Sequence, residues 1–171
     1  MGRKLPDDWI LARDLRAVED HVAARGLDWN EVADKFGIDP DLGHQRSARV
    51  SISIFFAIAE YTSALSEDDS QGFTLGPSVP VGFSSTFDYI AISAPSLRVG
   101  VQNWVRFVPI ISNAFALRFE ERDGIGYLEW LIPDRHGPRS QFLFGMMSWA
   151  VVRIQYITED PDAQIIMEFT C

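Results

Sequence analysis

Apolar residues recur along this chain with two different periods, and the switches between them outline the elements. Leu11, Leu15, Val18 and Val22 fall at spacings of four, three and four. They form one apolar stripe and predict a helix that Asp7 or Asp8 caps and Gly26 ends. Trp29 to Phe36 reads as a second, short helix closed by Gly37, and Asp39-Pro40 opens a further turn. Ile54, Ile58, Tyr61 and Leu65 mark a third helix with Ser51 near its start, ending in the polar run Ser66 to Ser70. Residues 71–83 carry Gly72, Gly76, Pro77, Pro80 and Gly82, and predict irregular backbone with one short strand.

One or two helical turns follow over Ser84 to Ala91. Ser96 then caps a helix through Val108 that shows Leu97, Val101, Trp104 and Val108 on one face. The period changes to two in the next stretch. Phe115, Leu117 and Phe119 alternate with Ala116, Arg118 and Glu120, and a second alternating run covers Ile125 to Ile132. Asp123-Gly124 lies between them, which is a strong hairpin signal. Pro133 to Pro138 is a loop. A long helix from about Arg139 to Ile157 is apolar on most sides, so it is expected at the centre. Ile165, Met167 and Phe169 suggest a last strand. Helices, a mixed middle, a hairpin, a helix and a strand make an α+β fold, with a helical N-terminal part packed on a mixed core that holds the hairpin and the long helix.

Length and composition narrow the classes. The 171 residues, 47% hydrophobic and 23% charged, suit one compact domain over 1–171 with a sizeable core. Net charge is −9, from 15 basic and 24 acidic residues, which disfavours contact with nucleic acid or acidic lipid. The longest apolar run, within 142–157, is broken by Ser148, Arg153 and Gln155 and reads as a buried helix rather than a membrane span. Residues 1–8 do not resemble a signal peptide, and the lone Cys171 cannot form an internal disulfide, so a cytoplasmic location is expected.

Catalytic signatures are absent, and no enzyme activity and no cofactor are expected. There is no nucleophile elbow and no phosphate loop, and Gly124-Ile125-Gly126 is a hairpin turn rather than a dinucleotide fingerprint. His21, His44 and His136 show no zinc spacing, and a surface position is expected for all three. Glu120 and Glu121 are strand neighbours that point to opposite faces, so they cannot act as an acid/base pair. Aromatic content with few embedded charges stands out: 12 Phe, 5 Trp and 4 Tyr. Met146, Trp149, Arg153 and Tyr156 share a stripe of the long helix, where a guanidinium needs a partner. Arg118 sits in an otherwise apolar strand, and Arg106 lies at an aromatic-rich helix end. Two readings stay open for these arginines. They are placed charges in an apolar small-molecule pocket, or core residues paired to Glu129 or Glu168. The pocket reading gathers Arg106, Arg118, Tyr127, Trp130, Trp149 and Arg153 as ligand-binding residues, with the effector between the helices and the hairpin.

A series of short segments carries a resemblance. Gly37-Ile38-Asp39-Pro40 is followed by Arg49-Val50 and by a helix with Phe55, Ala59 and Glu60. Then come Gly72-Phe73-Thr74-Leu75-Gly76, Val81-Gly82-Phe83, Asp88-Tyr89-Ile90-Ala91, Ser93-Ala94-Pro95-Ser96-Leu97 and Arg106-Phe107. This order resembles the N-terminal, arabinose-binding-like effector domain of AraC-type transcription regulators, over roughly Trp9 to Cys171. The resemblance implies a sensory domain that binds a small-molecule effector; the alternative is a protein-interaction module, mainly a homodimerisation unit without a small-molecule ligand, and both can hold together. It also implies DNA contact only through a C-terminal domain of two helix-turn-helix units. The chain stops at Cys171, about where the connection to that domain is expected. The family's ligands are diverse, so the resemblance assigns no binding residues.

Overall fold

The computed structural model describes residues 7–84 and 86–168. Among these residues seven helices surround one aromatic core, with two small antiparallel sheets at its sides. The chain opens with strand β1 (Trp9–Leu11), which pairs with β2 (Arg49–Ser51) in the register Trp9↔Ser51. Ile10 also bridges to Ser112, and the Leu11 amide donates to the Ile111 carbonyl at 2.8 Å. The expected first helix therefore starts later than its apolar stripe. A 3-10 turn over Ala12–Asp14 follows β1, and α1 spans Leu15–Ala24. The partners that hold Trp9–Leu11 extended lie some forty and one hundred residues away, and helical spacing alone does not reveal them.

Helix α2 (Trp29–Lys35) is capped by Asp28, whose carboxylate accepts from the Asn30 amide at 2.8 Å. Helix α3 (Ile52–Leu65) follows β2 directly. Residues 71–83 depart from expectation: Gln71–Ser78 form helix α4 rather than a strand. Its glycines allow it to press backbone to backbone against the long helix α7 (Ser140–Thr158). A Cβ at Gly72 would collide with the Gln141 carbonyl and the Phe144 Cβ, and one at Gly76 with Ser148 Oγ and the Gly145 carbonyl. Two glycines four residues apart here mark a helix interface, where tertiary packing overrides the usual helix-weakening effect of glycine. Ser148 Oγ ties the pair further by donating to the Gly72 carbonyl at 3.2 Å.

Helices α5 (Thr86–Ile92) and α6 (Leu97–Phe107) pack on each other, and Ser96 caps α6 as expected, accepting from the Val99 amide at 3.4 Å. Strands β3 (Ala116–Arg122) and β4 (Ile125–Leu131) form the hairpin, with Arg118 opposite Glu129. Asp123 and Gly124 both have positive φ, 52° and 80°, the geometry a two-residue hairpin turn requires. Beyond α7 no strand forms among the described residues. The alternation of Ile165 and Met167 meets no partner strand among the described residues, Ile166 is 87% exposed, and Phe169 lies outside the described residues.

The core joins these elements through rings. Phe56 of α3 lies 4.8 Å from Phe142 of α7, Trp104 of α6 lies 5.1 Å from Trp149 of α7, and Phe115 reaches Phe142 at 5.8 Å. Each such pair adds about 0.5–1.5 kcal/mol beyond its area burial. Helix α7 is central, as its apolar pattern predicts.

Candidate functional site

A cavity opens where α1, α3, α4 and α7 meet. Ala17 and Val18 of α1 form one wall, and Phe55 and Ala59 of α3 a second. Leu75 of α4 faces Met146 and Trp149 of α7. The cavity volume is about 80 Å³, several times the roughly 10–15 Å³ that one water needs. The space exists because helix contacts here are made by small residues. Gly72, Gly76 and Gly145 bring α4 and α7 close together and leave no side chains to fill the gap beside them.

Three polar side chains reach the lining: Asp14, Gln71 and Gln141. Gln141 is fully used. Its Nε2 donates to the Asp69 carbonyl at 2.9 Å, and its Oε1 accepts from the Gly72 amide at 2.9 Å. Gln71 is half used. Its Nε2 donates to the Ala59 carbonyl at 3.3 Å and to Thr62 Oγ1 at 2.9 Å, while its Oε1 is buried without a partner. The carbonyl acceptor fixes which end of the amide is nitrogen, so the free atom is the oxygen. Among the described residues no hydrogen bond reaches the Asp14 carboxyl. Burial among apolar groups pushes its pKa up from 3.8 to about 6, Arg13 pulls the other way, and Asp88 adds a smaller upward push.

A second recess shares Ala17, Val79 and Phe83 with the cavity and is otherwise lined by Asp20, His21, Ala24, Ser78 and Pro80. His21 Nδ1 lies 3.0 Å from Arg25 Nη1, which can only donate, so Nδ1 accepts and the proton sits on Nε2. That Nε2 is buried without a partner. Burial, and then Arg25, hold the His21 pKa below its usual value, against a smaller opposing effect of Asp68.

The wall between these spaces is held by one buried ion pair. Arg153 of α7 donates from Nε to Asp88 Oδ1 at 3.3 Å, from Nη1 to the Val79 carbonyl at 3.0 Å and from Nη2 to the Pro80 carbonyl at 2.8 Å. Its guanidinium lies 4.7 Å from the Trp149 ring centroid. Asp88 Oδ2 accepts from the amides of Gly82 and Ser84 at 2.9 and 3.1 Å. The segment from Val79 to Ser84, with cavity residues Val79 and Phe83 on it, is thereby fastened to α5 and α7.

The six residues expected at the site are distributed unevenly. Trp149 lines the cavity and Arg153 stands directly behind its wall. Arg153 is paired, as its place on the apolar stripe demands, but to Asp88 rather than Glu129 or Glu168. Arg118 pairs with Glu129 across the hairpin at 2.6 Å and is exposed. Tyr127 is exposed on the hairpin, Trp130 is half-buried beneath it, and Arg106 is exposed beside Phe107. None of these four lines the cavity. Asp14 and Gln71 escaped the sequence reading. The available signal was a polar residue one turn ahead of Ala17 and Val18 on the α1 face, and a glutamine abutting the Gly-x-x-x-Gly segment.

His44 is exposed and pairs with Glu19 at 3.1 Å, and His21 is half-buried. His136 is buried rather than at the surface. The 3-10 turn Asp134–His136 tucks its ring edge-on to Phe56, with Ser53 Oγ 3.4 Å from Nδ1. Among the described residues no group of His, Cys, Asp and Glu is arranged to hold a metal, and no helix is long and apolar enough to cross a membrane.

No curated protein matches the chain. Residues 26–164 match the family described as the arabinose-binding domain of AraC transcription regulators, N-terminal. That stretch contains α3, α4 and α7 but begins after Asp14 and α1, so one wall of the cavity lies outside it. This is a family of regulatory ligand-binding domains rather than of enzymes, and the α+β fold agrees with the sequence pattern. The chain belongs to the family of N-terminal arabinose-binding domains of AraC transcription regulators.

Proposed function

We propose that this chain is a single effector-sensing domain and that the cavity among α1, α3, α4 and α7 takes the effector. The observation that carries the reading is an apolar cavity lined by half-buried Asp14, whose carboxyl accepts no hydrogen bond among the described residues, and by Gln71, whose buried Oε1 has no partner. Native interiors seldom leave such groups unsatisfied unless a ligand or water completes them. An effector seated there would touch α1, α4 and α7 together. It would favour the arrangement of those helices that it binds best, which is the only way a ligand shifts an equilibrium. In the cytoplasm, DNA contact then belongs to the helix-turn-helix units that the family carries, consistent with the charge of −9 on this chain.

The test is thermal melting against a panel of sugars, amino acids, carboxylates, amines and aromatic metabolites, repeated on Ala59→Leu and Leu75→Phe, which fill the cavity. A ligand at 100 times its Kd adds about 2.7 kcal/mol of stability. Saturable stabilisation of the parent that both variants lose supports the reading. Stabilisation that survives both variants places the ligand elsewhere.

A second reading, homodimerisation, draws on the outer face of the hairpin. Ile125, Tyr127 and Leu131 share that face and are 58%, 43% and 44% exposed. A sedimentation series in which mass rises with concentration, and falls back in Ile125→Lys, supports it. A monomer at all concentrations excludes it.

A further inference from the structure

Gln71 is 1% exposed, and its side-chain oxygen has no partner. Leaving such an acceptor dry is unfavourable, because its desolvation is not repaid. Asp14 presents a second acceptor in the same lining, and burial raises its pKa to about 6, so it is largely ionised at neutral pH. Among the described residues no lysine, arginine or histidine lines the cavity. An anionic effector would therefore meet a carboxylate and an amide oxygen with no cation to receive it. A sugar would need a polar partner for each buried hydroxyl, and most of this wall is hydrocarbon and aromatic ring: Val18, Phe55, Leu75, Phe115, Met146 and Trp149. Apart from the Trp149 indole N–H the lining lacks a donor, and what it offers is apolar area.

We propose that the effector of this cavity is a small apolar amine, with its hydrocarbon or aryl body against the walls and its protonated nitrogen on the Asp14 carboxylate. Gln71 Oε1 accepts a further N–H. The assignment rests on the sensing reading above. It also rests on Asp14, a residue that lies ahead of the family-matched stretch.

The experiment uses matched probes on this chain: phenethylamine, cyclohexylmethylamine and n-hexylamine, with 2-phenylethanol, 3-phenylpropionate and L-arabinose beside them. Affinities come from calorimetry on the parent, the isosteric Asp14→Asn, and Ala59→Leu. At least one amine is expected to bind saturably, with affinity falling about tenfold or more in Asp14→Asn, which is about 1.4 kcal/mol. The carboxylate and the sugar are expected not to bind, and Asp14→Asn should leave the weak affinity for the alcohol unchanged. An amine affinity indifferent to Asp14→Asn, or a carboxylate or sugar bound as tightly as the amines, overturns the amine assignment. If Ala59→Leu abolishes that other binding, cavity sensing stands without it. No binding by any amine also overturns the assignment, and the wider panel then decides the sensing reading.

Discussion

Arg153 and Asp88 form an ion pair with no accessible surface on either side chain. They sit on α7 and α5, sixty-five residues apart, and between them they occupy the carbonyls of Val79 and Pro80 and the amides of Gly82 and Ser84. A buried pair of this kind stabilises little relative to an apolar substitute, but removing one member strands the other. Arg153→Met is expected to cost about 3–5 kcal/mol in urea unfolding. Arg153→Lys is expected to rescue only part of that loss, since an ammonium cannot reach Asp88 and both carbonyls in one plane. A loss below about 1 kcal/mol would mean that the segment 79–84 is held by something else.

The glycines of the α4–α7 interface should differ sharply in their tolerance of a methyl group. At Gly76 an added Cβ meets Ser148 Oγ and backbone, so Gly76→Ala should destabilise by at least about 1–3 kcal/mol. At Gly145 the nearest atom to a Cβ is the Gly72 carbonyl oxygen at 3.7 Å, an ordinary contact. Gly145→Ala should gain up to about 1 kcal/mol from helix propensity while narrowing the cavity. Thermal melting of both variants distinguishes them, and equal losses would contradict the close packing described for α4.

Asp14 should make the ligand-free protein sensitive to pH. Its pKa is raised from 3.8 to about 6 in the folded state. Its favourable contribution is therefore complete below about 3.8, where it is protonated folded or unfolded, and is lost as pH rises through 6. The groups that act on it are Arg13 beside it and Asp88 from α5, which Arg153 of α7 neutralises. Comparison with Asp14→Asn isolates the one carboxyl. At pH 8 the variant should be more stable than the parent by no more than about 3 kcal/mol. The two should converge near pH 4. A variant less stable than the parent at pH 8 would mean that the carboxylate has a partner in the folded protein.

Much of the fold was legible because it is local. The stripe of Val18 and Val22, the cap at Ser96 and the Asp123-Gly124 turn each act within a few residues, and each is where the pattern places it. Arg153 was legible as a charge in need of a partner, although Asp88 was not foreseeable, since it stands in a short helix among apolar neighbours. What was hidden depends on distant chain. Trp9–Leu11 is a strand only because Arg49–Ser51 and Ile111–Asn113 lie beside it. Gln71–Ser78 is a helix because α7 supplies the packing that its glycines invite. Asp14 looks like any acidic residue at a helix start, and only the assembled cavity shows that it faces inward.

The most direct test of the cavity as effector site is methyl and indole NMR of this chain during titration with the compound that stabilises it most. Saturating shifts are expected at Val18, Leu75, Val79, Met146 and the Trp149 indole, with Ile125 and Leu131 of the hairpin unmoved. Shifts confined to Ile125, Leu131 and Trp130, with the cavity methyls silent, would contradict it and move the site to the hairpin.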